Sequence, residues 1–285
     1  MKILIGIAIL GTIWFYFYNS NKPDIPQDYG KLKANFHTKL IKQTKAPQPY
    51  SDLKNSPGIE KIIYPSGNYQ LQALLSTENI EANIRKPAIV YLHGGFALDK
   101  SDIEDCWAFI NEGYIVLAPS YRGENGNEGN FELFMGEVDD AKAAIKWLAK
   151  QLFVDSTHIY VFGHSIGGGV SSLLSLQNDV PIKMSASIGG LYNAEFKNWG
   201  DILPFDMQDE NEKKMRTLVE NVWFMKTPHL AFFGSQDPTF KEDIDYYNQL
   251  TKGTKLSIEM VRGDHMSSLQ PAIGRFITLL KSGKL

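Results

Sequence analysis

Ile159-Tyr160-Val161-Phe162-Gly163-His164-Ser165-Ile166-Gly167-Gly168 is the stretch that decides the fold. Its first four residues are aliphatic or aromatic, the make-up of a short buried strand. From Gly168 to Gln177 small and aliphatic residues dominate, which predicts a helix. Between them stands a serine with glycines two before and two after it, the G-x-S-x-G pattern of a sharp strand-to-helix turn that lifts a serine hydroxyl clear of the sheet. Side chains in place of those glycines would collide with the neighbouring strand and helix. The turn also aims the next N–H, that of Ile166, from the positive end of a helix at the place where an oxyanion would form. The bare pattern recurs by chance in roughly one chain in ten at ordinary Gly and Ser frequencies. Its flanks, and an acid and a histidine further on, therefore have to carry the reading.

The chain on either side supplies both. Residues 59–64 and 69–75 flank Pro65-Ser66-Gly67-Asn68, which predicts a hairpin at the start of a sheet. Ala88-Ile89-Val90-Tyr91-Leu92 is a continuous apolar run of the kind buried in a parallel sheet, and it ends in His93-Gly94-Gly95-Phe96. Two glycines there let a backbone N–H, from Gly95 or Phe96, approach a ligand as a second oxyanion donor; a plain tight turn is the alternative. A helix is expected over 101–112, a strand over 114–119, and then the glycine- and asparagine-rich loop Tyr121 to Asn130. Its Glu124 and Glu128 read as solvated, with contact to a cationic substrate group as the alternative. A helix over 136–151 precedes the decisive strand.

After the serine helix come a strand over 183–188, a strand over 229–233 leading to Gly234-Ser235-Gln236-Asp237, and a last strand over 255–261 leading to Arg262-Gly263-Asp264-His265. A final helix is expected over 268–280. Residues 191–227 interrupt this rhythm. They read as a small cap with a helix over 212–224, whose Tyr192, Trp199 and Phe205 either line an acyl pocket or bury the cap against the core. Strands alternating with helices predict an α/β fold with a mostly parallel central sheet covered on both faces. Ser165, Asp237 and His265 each follow a predicted strand, the end at which open α/β sheets bind ligands. Asp264 competes with Asp237 as the acid, but it directly precedes His265 and is poorly placed to reach the ring.

With those motifs in hand, residues 59–285 resemble the α/β-hydrolase superfamily, and most closely the catalytic domain of prolyl-oligopeptidase-type (S9-like) serine hydrolases. His93-Gly94-Gly95, Tyr121-Arg122-Gly123, Gly163 to Gly168, Asp237 and His265 carry the resemblance. It implies a triad of Ser165 as nucleophile, His265 as base and Asp237 as its orienting acid, an oxyanion hole from Ile166 and Gly95 or Phe96, and no metal or cofactor. Two departures bear on the substrate. The large peptidases place a β-propeller before this domain, where about 58 residues stand here. Some of them also use a tyrosine hydroxyl where His93 stands. The expectation is therefore a serine hydrolase cleaving a carboxylic ester through an acyl-enzyme. A peptidase, an acyl transferase or a non-catalytic binding protein of the same fold are the alternatives.

Ile3 to Tyr18 carries no charge and ends in an aromatic run, Trp14 to Tyr18. As a helix it would span roughly 24 Å, and residues 1–19 read as an uncleaved membrane anchor. A cleaved signal is disfavoured because no alanine stands between Ala8 and Ala34 to mark a cut. The lysines that follow argue for a cytoplasmic domain, while the short N-terminus argues for export, which we take as the expectation. Residues 20–58, with prolines at 23, 26, 47, 49 and 57, read as a tether with one short helix near 31–42. A net charge of −3 gives no electrostatic case for nucleic acid, and a single cysteine, Cys106, excludes an intrachain disulfide. The expected partners are thus an acyl substrate and a membrane.

Overall fold

The computed structural model describes residues 28–193, 196, 199–238 and 244–283. The anchor expected over residues 1–19 lies outside them. Among the described residues no helix is long and apolar enough to cross a membrane.

The strands are β1 (Ile59–Ser66), β2 (Tyr69–Ser76), β3 (Lys86–Leu92), β4 (Ile115–Pro119), β5 (Val154–His164), β6 (Met184–Ile188), β7 (His229–Gly234) and β8 (Leu256–Val261). They form one sheet in the order β1-β2-β4-β3-β5-β6-β7-β8. The hairpin partners β1 and β2 are antiparallel, as is the β2–β4 pair, and from β4 to β8 every pair is parallel.

Alternation along each strand divides the core in two, because successive side chains point to opposite faces. Ala88, Val90 and Leu92 of β3 join Ile159 and Val161 of β5 on one face, beneath α4 (Gly136–Leu148) and α5 (Ile166–Leu174). Ile89 and Tyr91, with Tyr160 and Phe162, face the other way, toward α2 (Lys100–Glu104), α3 (Trp107–Asn111) and α8 (Leu269–Ser282). The helix expected over 101–112 is these two short pieces. Asp99 starts the first, through a reciprocal cap with Asp102. Chain direction around the sheet reverses at β3, which has β4 on one side and β5 on the other. That arrangement opens a crevice above the C-terminal ends of β3 and β5.

Residues 28–58 lie along this body rather than away from it. The short helix is α1 (Tyr29–Asn35), and Tyr29 is fully buried with its hydroxyl donating to Met215 O at 2.6 Å. Ile41 N–H donates to Pro204 O at 2.7 Å, Phe131 N–H to Thr44 O at 2.9 Å, and Ala46 N–H to Gly123 O at 3.1 Å. Leu53 then enters the second core. The composition is poor in aliphatics, but main-chain hydrogen bonds to the sheet-and-helix body take the place of a core of its own.

In the cap region, the helix expected over 212–224 is α6 (Glu210–Lys214) and a separate 3₁₀ turn, Val222–Phe224. Between them Arg216 is fully buried. It pairs with Glu212, donates to Leu133 O at 2.7 Å and to Thr38 Oγ1 at 2.7 Å, and stacks over Phe205 at 4.0 Å. This multiply bonded guanidinium ties the cap, the N-terminal segment and the body together, at the cost of a continuous helix. α7 (Ile244–Leu250) completes the set.

Candidate active site

Ser165 stands between β5 and α5 with φ 52° and ψ −114°, a backbone region that costs a non-glycine residue about 1–3 kcal/mol. The surroundings impose it. Ser165 N–H donates to Ile188 O at 3.0 Å, and Gly167 N–H to His93 O at 3.0 Å. A Cβ on Gly163 would overlap the Gly167 carbonyl, and one on Gly167 would overlap the Leu92 carbonyl. The two glycines are thus required by contact, and the turn they permit presents the hydroxyl.

Ser165 Oγ lies 3.0 Å from His265 Nε2, and His265 Nδ1 lies 2.9 Å from Asp237 Oδ2. These three residues follow β5, β7 and β8, all in the parallel part of the sheet, which brings side chains up to a hundred positions apart to one edge. Asp237 is buried (1 % exposed) while the His265 side chain is 38 % exposed. In this arrangement Nδ1–H donates to the carboxylate, which leaves Nε2 to accept from the serine. Asp264 is engaged elsewhere: its Oδ1 accepts from Met266 N–H at 3.1 Å and Ser267 N–H at 2.8 Å, closing its own turn.

Of the N–H groups named as oxyanion donors, that of Ile166 is the first in α5 and has no acceptor within the helix. The Phe96 N–H is occupied, since it donates to Gln48 Oε1 at 2.8 Å. Gly95, directly before Phe96, is in the left-handed region, φ 66°. The glycine-rich loop supports this turn from behind. Glu124, expected to be solvated, is buried, and its Oε2 accepts from His93 Nε2–H at 3.1 Å and from Tyr121 N–H at 3.0 Å. Burial alone would lower the His93 pKa, but the charge and hydrogen bond of Glu124 outweigh it and raise the value to about 9. His93 Nδ1 also faces an acceptor, Gly94 O at 3.0 Å, as a doubly protonated ring requires.

His164, expected only to fill space, does more. Its Nε2–H donates to the main-chain carbonyl of His265 at 3.2 Å, so the residue beside Ser165 holds the loop that carries His265. Burial lowers its pKa and keeps the ring neutral. The three cap aromatics separate. Tyr192 is buried against His229, Phe233 and Tyr247, and Phe205 lies under Arg216; both pack the core. Trp199 meets Phe96 edge-on at 5.7 Å, and Phe96 meets Phe131 at 5.3 Å, forming an aromatic wall beside the His93–Phe96 loop. Sequence reasoning missed Gln48, the His93–Glu124 pair and Phe131. Proline on both sides of Gln48 is the one local sign that its position is controlled.

Comparison with known proteins bears on the family and the fold. The family model described as X-Pro dipeptidyl-peptidase (S15 family) matches residues 29–199, more than half of the chain. That span includes Ser165 and the His93–Phe96 loop, while Asp237 and His265 lie beyond it. An uncharacterized peptidase of Bacillus subtilis (strain 168), YtmA, is 25% identical over 184 residues, covering 64% of this chain and 65% of the relative. The chain thus spans just under two thirds of that relative's length. Among solved structures, an acylaminoacyl peptidase of Pyrococcus horikoshii superposes with a TM-score of 0.64 at 18% identity, over 78% of this chain and 41% of its own. An esterase of Pyrobaculum calidifontis gives 0.64 at 20%, over 79% and 86%. At those identities the likeness is one of fold, the α/β-hydrolase fold without a propeller. Taken with the family match, it places this chain in the X-Pro dipeptidyl-peptidase (S15) family of serine hydrolases.

Proposed function

We propose that the chain hydrolyses a carboxylic ester through an acyl-enzyme on Ser165. The observation that carries this reading is the hydrogen-bonded series Ser165–His265–Asp237 at a strained turn. Ser165 Oγ attacks the acyl carbon as His265 Nε2 takes its proton, and Asp237 stabilises the imidazolium. The negative oxygen of the tetrahedral intermediate is held by the N–H groups of Ile166 and Gly95. Collapse breaks the bond to the leaving alkoxide, which takes the proton from Nε2. Water then attacks the acyl-enzyme, gives its proton to Nε2, and the acid leaves as Ser165 recovers that proton. The wall of Phe96, Phe131 and Trp199 suits an apolar acyl group.

The family match favours a second reading, cleavage of a peptide bond after proline. One observation weighs against a role for Glu124 in holding a peptide's amino group: its carboxylate is already bonded to His93 and to the Tyr121 N–H. Membrane attachment through residues 1–19, with the catalytic body exported, is also proposed. The uncharged run ending in aromatic residues supports it, and a catalytic domain released from membranes by alkaline carbonate would refute it.

The test is labelling of the full chain in detergent with a fluorophosphonate, beside Ser165→Ala. Turnover of p-nitrophenyl esters and of X-Pro anilides is followed in the same samples. Labelling and ester turnover that both vanish in Ser165→Ala are expected. Faster anilide than ester cleavage selects the peptidase reading, and a folded wild type that neither labels nor turns over refutes both.

A further inference from the structure

We infer that Gln48, on the N-terminal segment, is a positioning residue for the oxyanion loop: by taking the Phe96 N–H it holds the Gly94–Gly95–Phe96 turn so that the Gly95 N–H is the donor left for the acyl oxygen. This rests on the reading of Ser165 as a nucleophile.

The loop needs such a partner. Two successive glycines leave the backbone many conformations, so the turn does not select its own shape. Its ends are held. His93 O accepts from Gly167 N–H at 3.0 Å. Leu98 exchanges two hydrogen bonds with the Asn125 side chain, at 3.0 and 2.8 Å. Between those anchors the Phe96 N–H is tied at 2.8 Å to Gln48 Oε1. The same amide covers Gly95. A Cβ there would stand 2.5 Å from Oε1 and 3.5 Å from Nε2, so the Gln48 side chain occupies the side on which Gly95 has none. Gly95 at φ 66° is thus held by one contact over its α-carbon and one at the next N–H.

Gln48 is itself held firmly. Proline at 47 fixes the backbone entering it, and proline at 49 keeps Gln48 out of the helical region. Just before them, Ala46 N–H donates to Gly123 O at 3.1 Å, and Lys45 Nζ donates to Asn127 O at 2.9 Å and Gly129 O at 2.8 Å. The segment is therefore bound to the glycine-rich loop, and that loop holds His93 and Leu98 through Glu124 and Asn125. One side-chain amide from outside the sheet completes the circuit. Oxyanion stabilisation depends on donors already aimed at the transition state. Losing the amide therefore affects the transition state more than the ground state.

The experiment compares full-length wild type with Gln48→Met, which keeps length but offers the N–H no comparable acceptor, and with Gln48→Ala. Thermal melting shows that each is folded. For the best ester we expect kcat to fall roughly tenfold or more, as misaligned groups do, with KM within about twofold. The inhibition constant of a boronic acid, whose adduct on Ser165 carries the tetrahedral oxygen, is expected to weaken by the same factor as kcat/KM. Unchanged kcat in both folded variants overturns the inference. So does a rise in kcat, which would make Gln48 a competitor of the acyl oxygen, or a loss confined to KM. A wild type that neither labels nor turns over refutes the Ser165 reading instead, so the two failures are distinguishable.

Discussion

The buried pair behind the proposed oxyanion loop gives a stability test of known sign. Replacing Glu124 by glutamine keeps the shape and the acceptor oxygen but removes the charge that protonates His93. In the folded protein the His93 pKa is raised from 6.5 to about 9, with the ring fully enclosed. Its folded value lies above its unfolded one, so folding takes up a proton. The linked stabilisation is complete below about pH 6.5 and is lost as pH rises through about 9. At 1.36 kcal/mol per pKa unit, this is worth about 3 kcal/mol at pH 6 and less than ~0.5 kcal/mol at pH 9. Asp102 also acts on the ring and remains in the variant. The assay is urea unfolding of wild type and Glu124→Gln at both pH values. Wild type should be the more stable by about 2–3 kcal/mol at pH 6, and most of that difference should vanish by pH 9. Equal pH slopes in the two proteins would refute the charged pair, and with it the electrostatic support assigned to the proposed oxyanion turn.

Further outcomes are expected at the site and in the core. Asp237→Asn should fold normally, because the amide can keep the geometry, yet lower kcat on the order of 10³–10⁴ by favouring the wrong imidazole tautomer; a loss under tenfold would remove Asp237 from the proposed triad. Gly163→Ala forces a Cβ onto the Gly167 carbonyl and should cost more than about 4 kcal/mol in unfolding free energy. Wild-type-like unfolding of that variant would contradict the close approach. Buried His229, with its ring nitrogens on the hydroxyls of Ser185 and Ser187, is pushed by burial down to about 3. Because that value is depressed, the stability it confers is present above pH 6.5 and falls by up to ~1.4 kcal/mol per unit as pH drops toward 3. His229→Gln should flatten this acid limb, and an unchanged limb would assign it to other groups.

Local pattern already carried the sheet. In β3 and β5 the alternation of apolar side chains shows both faces covered, and the elbow glycines state their own reason, since nothing larger fits between β5 and α5. The chain order of Ser165, Asp237 and His265, each after a strand, was legible because parallel strands present their C-terminal ends on one edge. The cap was harder. Tyr192, Trp199 and Phe205 are alike in the sequence, and only their neighbours put Trp199 beside Phe96 and the other two in the core. Composition also could not show that residues 28–58 lie against the body, because many of the bonds that hold them are main-chain and leave little trace in residue type.

Amino-acid order by itself determined the strands, the strained serine and the set of groups able to act as nucleophile, base and acid. These follow from periodicity and from steric limits that operate over a few residues. Tertiary structure alone decided that Glu124 charges His93, that His164 holds the His265 loop, and that Gln48 takes an N–H forty-eight positions away. A buried charge or N–H is stabilised by whatever lies within about 3 Å of it, and for these groups that neighbour is set by how the loops meet above the sheet.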